Sequence, residues 1–214
     1  MSKIIEKWWV LIATILLGVV FVWGVQNMYF HQDDLDWFII ANRPFWQVIA
    51  APLSDHINYL FRLLLKFEWD YFRLFFPSYL FVSVVMHAVV IWLLYYLARL
   101  TSQRDDLAAI VAVIFAVNTN WTEVVLWISG QTISISVIFV LLAMIFVWHK
   151  KNIGPWVGVA TLTSALALGL LPATLLSFGI DYKSRKLKTL GIWMIMLGIL
   201  VLLIYKYLAT IKYS

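Results

Sequence analysis

The sequence has 214 residues, 64% hydrophobic and 13% charged, with a formal net charge of +5 and no cysteine. Soluble domains are roughly half apolar and a quarter charged, so this composition excludes a freely soluble fold and predicts an all-α polytopic membrane protein. The missing cysteines exclude disulfides and thiolate metal sites, and the excess charge is too dispersed to suggest nucleic acid.

Seven apolar segments are predicted in chain order: Trp8–Val25, Pro77–Leu97, Leu107–Val117, Gln131–Trp148, Trp156–Leu170, Ala173–Ile180 and Leu190–Tyr205. A bilayer crossing takes about 20 residues, so the third and sixth must extend or tilt. No small-residue cleavage site follows the first, which therefore reads as a retained helix rather than a signal peptide. Joining 156–180 into one span gives a rival count of six.

Charge favours seven. Placing the N-terminus, 98–106, 149–154 and 181–189 in the cytoplasm gathers Lys3, Lys7, Arg99, Arg104, Lys150, Lys151, Lys183, Arg185, Lys186 and Lys188 on that side. Only Glu6, Asp105, Asp106 and Asp181 oppose them there, as expected for cytoplasmic loops. Two basic loops at 149–154 and 181–189 need an even number of crossings between them. The predicted N-terminus is inside and the C-terminus outside, in a bacterial plasma membrane rather than the ER. Residues 1–214 form one module, with a long outer loop at 26–76 and a short one at 118–130.

The long loop opens with "HQDDLDWF" and is expected to hold two interfacial helices. Asp36 is a predicted cap for a short helix from Trp37, ended near Pro44. A second helix is predicted from about Asp55 to Phe67. Its apolar face (Ile57, Leu60, Phe61, Leu64) would lie in lipid, and Asn58, Arg62 and Lys66 would form a polar stripe. Trp37, Phe38, Phe45, Trp46, Phe67, Trp69, Tyr71 and Phe72 suit the headgroup depth.

Four stretches in this order carry a family resemblance: "QDDLDWF", "APLSDHINYLFRLL", "VVMHAVVIWLLYYLARL" and "NTNWTEVVLWISGQT". Together they resemble the conserved module of GT-C glycosyltransferases, in the protein O-mannosyltransferase-like branch that includes the tetratricopeptide-type enzymes. The resemblance implies transfer of a sugar from a polyprenyl-phosphate donor to an acceptor hydroxyl on the outer face. It places the general base on Asp33 or Asp34. Two departures stand beside it: "LALGLLPATLL" lacks the Lys-Glu pair of many relatives, and no variable helical half follows. The resemblance then implies another membrane subunit, or self-association, to close the pocket.

In such a reaction a carboxylate accepts the acceptor's proton, while Arg62 and Lys66 are candidates for the lipid phosphate. His56 and Glu123 are candidates for sugar or acceptor hydroxyls. His31, Asp33 and Asp34 offer donors for a divalent cation. Helix capping and solvation explain the same acidic run, and Asp105-Asp106 supplies an internal control, since capping suffices there. His87, inside a span, is either functional or a neutral histidine bonded between helices. Asn120-Trp121-Thr122 matches a glycosylation sequon. The competing function is a non-catalytic, GT-C-derived structural or lipid-binding subunit of a membrane complex; a transporter is a weaker third.

Overall fold

The computed structural model describes residues 2–50, 59–118 and 124–149, together with Ile192. Its elements are all helices: α1 (Ser2–Asn27), α2 (Gln32–Ala41), α3 (Phe45–Ala50), α4 (Tyr59–Phe72), α5 (Phe76–Ser102), α6 (Asp105–Val117) and α7 (Gln131–Trp148). The expected segments at 156–170, 173–180 and 190–205 lie outside the described residues, apart from helical Ile192.

Among the described residues, two helices are long and apolar enough to cross a membrane, Trp8–Asn27 and Phe76–Ser102. The first buries one narrow stripe, Trp9, Ala13 and Leu17, at helical steps of four. These pack against Ile91 of α5 and Ala109 and Ala112 of α6. The face of α6 is made of small residues, Ala108, Ala109 and Ala112, all fully buried, which lets backbones approach closely. At 13 residues, α6 is about 20 Å long.

The central element is α5, which packs against α1, α6 and α7. Direction follows from named contacts. Trp9 near the start of α1 stacks on Tyr95 near the end of α5, with ring centroids 4.3 Å apart, so these two run antiparallel. Gln131 at the start of α7 meets Ser83 at 3.1 Å, and His149 just past its end meets Tyr96 at 3.2 Å, so α5 and α7 run parallel. One end of the bundle therefore holds the end of α1 and the starts of α5 and α7.

On that end sit α2, α3 and α4. The acidic helix starts a turn earlier than the sequence suggested. Extended His31 is the N-cap of α2, and its N–H donates to Asp34 Oδ2 at 2.9 Å. Asp34 at the third helical position thus does the capping expected of Asp36, which lies exposed inside the helix. The short α3 was not foreseen. Pro44 ends the previous helix as expected, but its carbonyl also accepts the N–H groups of Gln47 and Val48 and so starts a new one.

The second expected interfacial helix is α4, running on to Phe72; residues 55–58, with Ile57 and Asn58, lie outside the described residues. Its apolar stripe does not lie in lipid as expected. Phe61 and Leu65 are fully buried in a cluster with Phe38, Ala41, Tyr79, Ile128 and Ile135. Three other helices, α2, α5 and α7, and the turn before α7 supply the matching apolar side chains that cover this stripe. The aromatic belt divides accordingly. Trp37, Phe38, Trp69 and Phe72 pack inward, while Phe45, Trp46, Phe67 and Tyr71 stay exposed, the part suited to an interface.

Candidate functional site

The acidic segment and the turn before α7 meet. Asp34 is fully buried, and its two oxygens accept from different places: Oδ2 from His31 N–H, Oδ1 from Ser129 N–H at 3.3 Å. The His31 ring lies 4.7 Å from that of Trp127. Burial pushes the Asp34 carboxyl above its ordinary range, and the two N–H bonds hold it back. The residue is a clasp between α2 and the turn that precedes α7. Asp33 beside it is exposed and lies in the first turn of α2.

Asp34→Ala would leave the His31 and Ser129 N–H groups without their acceptor. The expected cost is about 2 kcal/mol, read as a lower unfolding midpoint in detergent and faster exchange at the Ser129 amide. Asp33→Ala should change neither.

The remaining expected site residues divide. Arg62 is 4% exposed rather than part of an open stripe, with its guanidinium 5.6 Å from the centroid of the Tyr59 ring. Lys66 Nζ pairs with Asp70 at 2.8 Å. His56, Glu123 and the sequon at 120–122 lie outside the described residues. His87 is buried on α5 and stacked 5.4 Å from Phe115. Among the described residues no three or more His, Asp or Glu group as a metal would need. His31, Asp33 and Asp34 therefore do not fit a divalent cation, with both Asp34 oxygens already engaged by N–H groups. The control pair does more than the expected capping: Asp105 and Asp106 lie in the first turn of α6, whose N-cap is Arg104 with no side-chain cap hydrogen bond, and they pair with Arg99 and Arg104.

A second polar cluster was missed by sequence reasoning. Glu68 of α4 is fully buried, and Gln131 Nε2 donates to its Oε1 at 3.0 Å. The same amide nitrogen lies 3.1 Å from Ser83 Oγ and 3.4 Å from the Tyr79 carbonyl oxygen. Glu68 Oε2 and Gln131 Oε1 meet no donor among the described residues. Burial, opposed by the Gln131 bond, pushes the Glu68 carboxyl up to about 8. A signal for it existed. Phe61, Leu65, Glu68 and Phe72 follow the i, i+4, i+7, i+11 pattern of one helical face, so a carboxylate sits on the buried stripe.

Comparison with known proteins finds no family model, no curated protein and no solved structure that matches this chain.

Proposed function

We propose that this protein is a GT-C-like membrane glycosyltransferase module that uses Asp33 as the general base on the outer face. The observation that carries the reading is the Asp34–Ser129 clasp. It fixes the acidic turn at the bundle end where α1 stops and α5 and α7 start, and leaves the neighbouring Asp33 carboxylate exposed. Asp33 accepts the proton of an acceptor hydroxyl, whose oxygen forms a bond to the sugar's anomeric carbon. The bond from that carbon to the polyprenyl phosphate breaks, and the phosphate leaves with the electron pair. Of the two carboxylates first considered, Asp34 serves position and Asp33 chemistry.

Membrane integration, with seven crossings and an outer loop at 26–76, belongs to the same reading. Its support is the apolar surface of the long helices: Leu11, Ile15 and Val22 of α1 and Phe81, Val85 and Trp92 of α5 are exposed. Lipid covers such a perimeter without cost.

Membranes supplied with a labelled polyprenyl-phosphate sugar test the assignment. Asp33→Asn is expected to lower turnover at least ~100-fold with the fold intact, the usual scale for loss of a general base. Unchanged turnover removes Asp33 from the chemistry. The second reading, a non-catalytic subunit of a larger membrane complex, is favoured by the engagement of Asp34 and Lys66 in structural contacts. It expects no turnover, and a native mass well above 24.8 kDa plus detergent.

A further inference from the structure

The cluster around Glu68 has too few donors. Its acceptors are both Glu68 carboxyl oxygens, Gln131 Oε1, the Tyr79 carbonyl and Ser83 Oγ. Its donors are the two N–H bonds of the Gln131 amide and the Ser83 hydroxyl. Two acceptors stay empty, and one belongs to a carboxyl group. A buried, ionised carboxylate with an unsatisfied oxygen is costly. A proton on Oε2 removes the charge and adds the missing donor. Nothing larger has a way in, because Glu68 and Gln131 are both 0% exposed.

We propose that Glu68 and Gln131 form a proton-operated latch: with Glu68 neutral, α4 stays docked on α5 and α7, and loss of the proton releases it. The partners of the latch come from three helices, Glu68 from α4, Ser83 and Tyr79 from α5, and Gln131 from α7. Ionisation therefore acts on the junction between the outer helices and the bundle. Local opening of α4 hydrates the carboxylate and is the smaller change compared with unfolding the bundle.

Among the described residues, the surrounding charges do not neutralise Glu68. From α5, Tyr79 faces it, and the Tyr79 hydroxyl is already donated to the Arg73 carbonyl at 2.7 Å. From α7 the contact is the neutral Gln131 amide. On α4 itself Lys66 is paired with Asp70 and Arg62 is a full six residues back, and just past its end the Arg73 guanidinium lies 5.6 Å from the Trp69 ring centroid. From α2, Asp34 is held by His31 and Ser129, and α3 carries no titratable side chain. Among the described residues no cation pairs with Glu68. The release also reaches the acidic turn, since Trp69 of α4 stacks on Phe38 of α2 at 5.0 Å and donates to Asn42 at 3.2 Å.

The absence of cysteine allows two to be introduced without background. Tyr71→Cys on α4 and Phe81→Cys on α5, both at exposed positions, carry spin labels for a distance measurement in lipid nanodiscs. One short distance is expected at about pH 6, and a second, longer population should hold at least half the molecules at about pH 9.5. Adding Glu68→Gln should leave the short distance alone at both. A native pair that ignores pH, or a Glu68→Gln pair that still separates, overturns the proposal. If Glu68→Gln does not fold, infrared spectra of the native protein decide. A buried carboxylic-acid stretch that disappears over the same range supports the latch, and no titrating band overturns it.

Discussion

Gly130→Ala is expected to destabilise the protein by about 3 kcal/mol, the upper end of what overpacking costs. A Cβ at position 130 would collide with the Val124 carbonyl oxygen and come within 2.8 Å of both its carbonyl carbon and its Cα. All three atoms are backbone, so no side chain can swing aside. The collision falls in the turn on which the candidate site depends. Gly130 N–H donates to the Trp127 carbonyl at 3.1 Å, and the Gly130 carbonyl accepts the N–H of Ser134 at 3.2 Å, near the start of α7. Displacing the turn moves Ser129 away from Asp34 and Gln131 away from Glu68, so both contacts weaken together. Thermal unfolding in detergent measures the loss, with Gly18→Ala as control. A Cβ at Gly18 has nothing within 4 Å, and alanine in a helix interior should there be neutral or stabilising by up to about 1 kcal/mol.

Stability should fall as pH rises through the window set by Glu68, and Glu68→Gln should abolish that fall. The carboxyl is raised from 4.5 to about 8 in the folded protein, so between these values the folded state binds the proton more tightly than the unfolded one. The sign follows: the stabilising contribution is fully present below about 4.5, is lost as pH rises towards about 8, and stays lost above it. The whole loss is about 5 kcal/mol at 1.4 kcal/mol per unit, or less where opening of α4 relieves it first. Glutamine keeps the shape, carries no charge and brings two N–H donors to a cluster short of them. Glu68→Gln should therefore melt higher than the native protein at pH near 8 and about equally at pH near 4.5. A native melting temperature flat across this window would contradict the buried, protonated carboxyl.

The long helices were legible because local sequence is enough to define them. Gln131–Trp148 matches its expected span at both ends. Expected Trp8–Val25 and Pro77–Leu97 grow by a turn or two where polar flanking residues continue the backbone ladder. The place of Asp105-Asp106 at a helix start was also readable, while their pairing with Arg99 and Arg104 was not expected. Between α1 and α5 local signals competed. Three aspartates within four positions all look like caps, and His31 in extended conformation selected Asp34.

Among the described residues, the amino-acid sequence alone determined the apolar helices and the gathering of aromatic and acidic residues between the first two. These properties depend on composition and periodicity within single segments. Tertiary structure decided what Asp34 and Glu68 do. Asp34 takes its second donor from Ser129, 95 positions away, and Glu68 meets Gln131 across 63. A carboxylate's role depends on which donors and how much water reach it, and packing, not spacing along the chain, brings those donors and excludes that water.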